Sequence, residues 1–316
     1  MKRDLLSLNN LTLDEIEILL LRAQDLKEEL KKDILHPRLK GKTLGLLFEK
    51  ASTRTRVSFE VAMAQLGGHS IFLSTYDIQL QRGETIKDTA RVLSSYIDGL
   101  VIRTFAQEVV EEWARYATIP VINGLTDLHH PCQILSDLMT IREKKGNLKG
   151  LTLAYFGDGN NVAHSILEGA SKVGMNVIIA SPKGFQPREE IVKAAQVEAE
   201  KHGSRVEVTT DPKAAARNAN ILYTDVWVSM GQEMEKNKMK DVFKPYQVNA
   251  SFLELADPQV LVMHCLPAHR GEEITEEVME SSRSVIFEQA ENRLHLQKAL
   301  LEMFLKSPKK TPSNTR

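Results

Sequence analysis

An apolar repeat at helical spacing starts behind Thr12-Leu13-Asp14-Glu15 and runs through Leu30. Its outer face is rich in Lys and Glu, which predicts an amphipathic scaffold helix. The period then changes. Short β-favouring runs at 43–48, 70–73, 99–102 and 121–122 alternate with helical stretches at 55–66, 85–96 and 107–116. That rhythm predicts a parallel sheet with crossover helices. A helix over 131–145 runs into Lys144-Lys145-Gly146-Asn147-Leu148-Lys149-Gly150, and this punctuation sets a domain boundary after residue 146. Beyond it the pattern restarts, with strands at 151–156, 176–180, 206–209, 221–224, 260–264 and 284–287. Helices fall between them at 162–173, 187–201 and 212–218. The fold class is α/β: two doubly wound parallel-sheet domains, 1–146 and 147–288, separated by an interdomain cleft. A last amphipathic helix, 289–305, is expected to pack back on the first domain. Residues 306–316 carry two prolines and no apolar side chain and read as a flexible tail.

Composition narrows the function classes. With 316 residues there is room for two cores, and 41 basic against 42 acidic residues leave a net charge of -1. This removes the broad basic footprint of a nucleic-acid binder, so any anion site is local. No apolar stretch approaches the roughly 18 residues a membrane span needs. Asp4 and Asn9-Asn10 interrupt the start of the chain before a signal-type core forms. Two cysteines, Cys132 and Cys265, are too few for a disulfide framework, and a reducing, cytoplasmic setting is expected.

Four segments bring chemistry to the ends of these elements. Ser52-Thr53-Arg54-Thr55-Arg56 lies at the first turn of a helix that follows a strand. Unpaired N–H groups there favour an anion, and arginine adds planar recognition of phosphate oxygens. No Walker pattern accompanies it, and an ordinary Ser52 cap with surface arginines is the alternative. His130-Pro131-Cys132-Gln133 opens the next helix, with proline suited to its first position, and Arg103 ends a neighbouring strand at the same rim. In the second half Gly157-Asp158-Gly159-Asn160-Asn161 superficially resembles a dinucleotide turn. Val162 stands where the third glycine belongs, however, and the asparagines instead offer amide donors to a carboxylate. Asp225 to Gly231 (DVWVSMG) leaves a strand with a carboxylate suited to an ammonium group, or simply caps a turn. Finally, His264-Cys265-Leu266-Pro267 places an unpaired thiol at a strand end, inert or functional, and no zinc-ligand spacing surrounds it.

Taken together, STRTR at 52–56, HPCQ at 130–133, DVWVSMG at 225–231 and HCLP at 264–267 resemble the signatures of the ornithine carbamoyltransferases, in order and spacing across almost the whole chain. The resemblance implies transfer of the carbamoyl group of carbamoyl phosphate to the δ-amine of ornithine, giving citrulline and phosphate in arginine biosynthesis. Domain 1–146 then binds carbamoyl phosphate and domain 147–288 binds ornithine. Ser52, Thr53, Arg54 and Thr55 are implied to hold the phosphate, and Arg103, His130 and Thr55 the carbonyl oxygen. Gln133, with the Cys265-Leu266 backbone, is implied to orient the carbamoyl NH2, with Pro131 and Cys132 part of the same motif and Arg293 adding a contact from the far side. Gln79 matches a position that reaches a neighbouring subunit's site, which implies a homotrimer or a multiple of trimers. For ornithine the resemblance implies Asn161 at the α-carboxylate, Asp225 at the α-ammonium, and Ser229 and Met230 around the remainder. Arg54, Arg103, His130 and Cys265 form the implied catalytic set. Cys265 handles the proton provided that its surroundings lower the thiol's pKa. No metal or cofactor is called for, and the two-sided cleft implies that carbamoyl phosphate binds first.

Overall fold

The computed structural model describes residues 2–34, 37–74, 83–227 and 236–306. Gln79, Ser229, Met230 and residues 307–316 of the tail lie outside the described residues.

Helix α1 (Leu13–Lys31) starts at a reciprocal cap, in which the Thr12 hydroxyl accepts from the Glu15 N–H and the Glu15 carboxylate from the Thr12 N–H. The first lobe follows as β1 (Thr43–Phe48), α2 (Thr53–Gln65), β2 (His69–Ser74), α3 (Ile86–Tyr96), β3 (Gly99–Arg103), α4 (Gln107–Tyr116), β4 (Val121–Leu125) and α5 (Pro131–Lys145). Its four strands are parallel in the order β2-β1-β3-β4. The second lobe contains β5 (Thr152–Phe156), α6 (Asn161–Lys172), β6 (Asn176–Ala180), α7 (Glu189–His202), β7 (Val206–Thr209), α8 (Pro212–Ala216), β8 (Ile221–Thr224), α9 (Lys236–Phe243), α10 (Ala250–Leu255), β9 (Leu261–His264) and α11 (Glu276–Met279). Its five strands are parallel in the order β7-β6-β5-β8-β9. The central strands are apolar along their length because helices cover both faces of each sheet.

In both sheets the strand order reverses once, between β1 and β3 and between β5 and β8. Crossovers leave on opposite faces at that point, so a crevice opens beyond the carboxyl ends of those strands. Ser52 to Thr55 and Arg103 stand at the first crevice, and Asn160 and Asp225 at the second. The lobes meet through α5 against α6. Helix α12 (Ile286–Leu305) starts on the second-lobe core through Ile286 and packs along α1, α2 and α5.

Two expectations are corrected. The strand expected at 284–287 is a single bridge from Ser284 to Val262, because the chain already turns helical at Ile286, whose side chain is buried in the second-lobe core. Helices α9, α10 and α11 occupy stretches for which the sequence pattern gave no element. At eight, six and four residues they are too short for a helical repeat to register. Side-chain caps from Asn249 and Thr275 start α10 and α11.

Candidate active site

The first-lobe face of the cleft is built on the start of α2. The Ser52 hydroxyl accepts from the Thr55 N–H at 3.2 Å, and no acidic residue stands in the first turn. The helix dipole and the guanidinium groups therefore add rather than cancel. Arg54 reaches across the cleft and donates to the Leu266 carbonyl at 2.6 Å. Arg293, arriving on α12 and fully buried, donates to the Thr55 hydroxyl at 2.8 Å and to Gln133 Oε1 at 2.7 Å. Arg103 ends β3 with its Nε unpartnered. Arg54, Arg103 and Arg293 form no ion pair among the described residues, and burial together with mutual repulsion lowers the Arg103 guanidinium to about 10. Arg293 is lowered for the same leading reason, burial. Next to them His130 caps α5, its N–H donating to the Ser165 hydroxyl at 2.8 Å, while its ring Nδ1 has no partner. Burial and the three arginines hold this imidazole well below its ordinary pKa, so it is neutral.

Three arginines held together without a counter-charge are costly unless a multivalent anion enters. A phosphate group with a polarised carbonyl beside it fits that requirement. The guanidinium forks and the α2 N–H groups can donate to the oxygens of such an anion, and Arg103, neutral His130 and Thr55 can donate to a carbonyl oxygen as it gains charge.

The second-lobe face has the opposite sign and is internally satisfied. Asp225, just past β8, accepts from Asn160 Nδ2 at 2.9 Å, from the Cys265 thiol at 2.9 Å and from the Val226 N–H at 2.8 Å. Asn160 also caps α6, so its carbonyl oxygen serves the helix and its amide nitrogen serves the cleft. Burial and then the neighbouring Asp225 raise Asp158 to about 6. The Cys265 thiol is pushed well above its ordinary value by burial and by Asp225, the reverse of the lowering that a proton-handling role requires. It stands here as a neutral donor to a carboxylate and not as a thiolate.

The loop after β9 is held from behind. His264 Nδ1 accepts the Leu266 N–H at 2.8 Å, so its proton sits on Nε2 and goes to the buried Glu273 at 3.0 Å. Leu266 adopts a left-handed backbone with φ +59°, a conformation costing about 1–2 kcal/mol for a residue with a Cβ. The His264 and Arg54 contacts hold it, and with both ring nitrogens used His264 has none left for a metal.

Other expected site residues stand as follows. Thr53 is exposed at the start of α2 and Pro131 fills the first position of α5. Cys132 turns its thiol into the core, where it donates to the Asn123 carbonyl at 3.4 Å and is raised by burial to about 12, because it is on the side of α5 that packs against β4. Asn161 donates to the Thr126 carbonyl of the first lobe at 2.6 Å, so this amide ties the lobes together while Asn160 serves Asp225. Gly159 owes its identity to packing, since a Cβ there would stand 2.2 Å from the Pro187 backbone nitrogen. Sequence reasoning missed Asn160 as the Asp225 partner and missed Asp137, Tyr223 and Gln289 altogether. The one available signal was Asp137, four residues after Gln133 on a helix whose surroundings are apolar.

Comparison with known proteins identifies relatives of the whole two-lobed chain. Residues 3–143 match the family model described as the aspartate/ornithine carbamoyltransferase carbamoyl-P binding domain, and residues 149–304 match the Asp/Orn binding domain of the same family. An ornithine carbamoyltransferase of Oceanobacillus iheyensis is 56% identical over 299 residues, covering 95% of this chain and 93% of that protein. An anabolic ornithine carbamoyltransferase of Pyrococcus furiosus is 52% identical over 303 residues, covering 96% of each. Among solved structures, ornithine carbamoyltransferase from Pyrococcus furiosus superposes with a TM-score of 0.95 at 51% identity, covering 97% of this chain and 98% of that one. The Thermus thermophilus structure gives 0.86 at 43% identity, covering 97% and 100%.

Proposed function

Because the chain belongs to the aspartate/ornithine carbamoyltransferase family, we infer that it works as an ornithine carbamoyltransferase, making citrulline and phosphate from carbamoyl phosphate and L-ornithine for arginine biosynthesis. The observation that carries the reading is the group of three arginines without counter-charge beside a neutral histidine, facing a carboxylate-and-thiol set across the cleft.

In the reaction the δ-amine attacks the carbonyl carbon, the bond from that carbon to the phosphate oxygen breaks, and phosphate leaves. Ser52, Thr53, Arg54 and the α2 N–H groups bind the phosphate. Arg103, His130 and Thr55 stabilise the oxyanion that forms during attack. A neutral imidazole suits that task, because it donates a hydrogen bond without adding a fourth cation to the pocket. The Gln133 carbonyl and the Leu266 backbone accept from the carbamoyl NH2, and Arg293 braces Gln133 and Thr55. An alkyl amine with a pKa of about 10.4 is only about four parts in ten thousand neutral at pH 7. The arginine face repels the protonated form, and the deprotonated δ-amine is the species the site accepts. Asp225 takes the α-ammonium. The neutral Cys265 thiol orients that carboxylate, and the departing phosphate is the base of higher capacity for the amine's proton.

Domain 1–146, with α12 packed back on it, binds carbamoyl phosphate and domain 147–288 binds ornithine. Once ornithine arrives, Asn161 leaves the Thr126 carbonyl and turns to the α-carboxylate, and Ser229 with Met230 serves the rest of the amino-acid head. The working form is a cytoplasmic homotrimer or multiple of trimers, completed at each site by Gln79 of a neighbouring subunit. Carbamoyl phosphate binds first, and random addition in product-inhibition kinetics contradicts that order. The deciding experiment is colorimetric citrulline formation with ornithine, in parallel with carbamoylation of aspartate, putrescine and N-acetylornithine. Turnover restricted to ornithine is expected, and aspartate turnover with none on ornithine overturns the reading.

A further inference from the structure

One buried carboxylate lies directly behind Gln133 and accepts from both lobes. Asp137 Oδ1 accepts from Gln133 Nε2 and from Gln289 Nε2, each at 2.8 Å, and Oδ2 accepts the Tyr223 hydroxyl at 2.8 Å. These donors come from α5, α12 and β8. Asp137 makes no ion pair among the described residues, and burial raises it to about 6 against the opposing effect of the three hydrogen bonds.

A carboxylate that only accepts dictates which way an amide turns. Gln133 must present its nitrogen to Asp137, which leaves its carbonyl oxygen facing Arg293 at 2.7 Å. Gln289 is turned in the same sense. Its nitrogen serves Asp137 and the Tyr223 oxygen (3.1 Å), so its carbonyl is left to accept the His264 N–H at 3.0 Å, one residue before Cys265. If either amide flipped, an N–H would confront a guanidinium or a backbone N–H in a site closed to water. We propose that Asp137 is a positioning residue for carbamoyl transfer, fixing the Gln133 carbonyl towards Arg293 and the carbamoyl group and, through Gln289, the start of the Cys265-Leu266 loop. The proposal rests on the functional reading above and extends it to a residue that touches no substrate.

The test compares Asp137→Leu, Asp137→Asn, Gln133→Glu and the double variant Gln133→Glu/Asp137→Asn with the full-length wild type. Asp137→Leu is expected to lower kcat/KM for carbamoyl phosphate by about 10- to 100-fold, the scale of a small misplacement of reacting groups, with the ornithine KM changed less than about threefold. Asp137→Asn keeps kcat/KM within about threefold, because its remaining oxygen still accepts from both amides; its NH2 meets the Tyr223 oxygen, whose own O–H loses its acceptor, so the variant melts below the wild type. Gln133→Glu opposes two buried carboxylates and loses activity. The double variant recovers part of it: the amide introduced at position 137 donates to the carboxylate introduced at position 133, its oxygen still accepts the Tyr223 hydroxyl, and an oxygen still faces Arg293, while Gln289 Nε2 loses this acceptor and keeps only the Tyr223 oxygen. Wild-type kinetics in Asp137→Leu, or a loss shared equally between the substrates, overturns the proposal. Should Asp137→Leu not fold, the three isosteric variants decide, and a double variant no better than Gln133→Glu alone is the contrary result. Wild-type citrulline formation tests the underlying reading separately. If it fails, carbamoyl phosphate affinity measured by calorimetry across the same variants still reports on Asp137.

Discussion

The two faces of the cleft solve opposite problems. On the first-lobe face Arg54, Arg103 and Arg293 crowd together and form no ion pair among the described residues, where Arg103 Nε and His130 Nδ1 also have no partner. On the second-lobe face Asp225 is already saturated, taking donors from Asn160, Cys265 and its own neighbour's N–H. One face stores electrostatic cost that a dianion relieves on arrival. The other is at rest, and a ligand must displace contacts of equal quality to enter. The difference supports the proposed order, carbamoyl phosphate first, since only the first-lobe pocket gains simply by being filled.

The sharpest way to break this contrast is Arg103→Met. Turnover is expected to fall by about 10²- to 10³-fold, the effect of removing one oxyanion donor, while the ligand-free melting temperature rises because a like charge has left the pocket. Steady-state kinetics and calorimetry check the pair of outcomes, and a lower ligand-free melting temperature contradicts the crowding argument. Arg54→Ala is expected to abolish transfer with the fold intact, and near wild-type turnover in that variant contradicts the phosphate assignment. On the other face Asp225→Asn should raise the ornithine KM by about 10- to 100-fold, the loss of one charge-assisted contact, and leave carbamoyl phosphate affinity nearly unchanged. Equal losses for both substrates would mean that the faces are not separable. Ligand-induced stabilisation comes next. Carbamoyl phosphate or inorganic phosphate at about a hundred times its Kd stabilises by about 2.7 kcal/mol, whereas ornithine alone shifts the melting temperature little.

The smallest effect belongs to the seam joining the faces. Glu168 on α6 accepts the Leu8 N–H at 3.1 Å and Asn9 Nδ2 at 2.8 Å, with His129 Nδ1 at 3.6 Å and Lys172 nearby. Burial raises its carboxyl to about 7. A raised carboxyl contributes stability that is fully present below its unfolded value and is lost as pH rises through about 7. His129, lowered to about 4 by burial, acts in the opposite sense at lower pH, so the comparison is made between variants. Relative to Glu168→Gln, the wild type should lose melting temperature between pH 5 and 8, and parallel profiles contradict this.

The alternation of apolar runs with amphipathic stretches was enough to specify two parallel sheets, because strand and helix periods are written into consecutive residues and need no distant partner. The arginine-bearing start of α2 and the His130-Pro131 start of α5 were legible for the same reason, each being a contiguous segment whose chemistry follows from its place at a helix N-terminus. Tertiary structure alone decided the rest. It turned Cys132 into the core and made Cys265 a neutral donor to Asp225. It set Asn160 on Asp225 and Asn161 on the Thr126 carbonyl, drew Asp137, Tyr223 and Gln289 into one hub, and brought the Pro187 backbone against Gly159. Each of these depends on which groups from remote parts of the chain exclude water from one another. Burial and long-range hydrogen bonding therefore set the protonation states and amide orientations that local spacing leaves open.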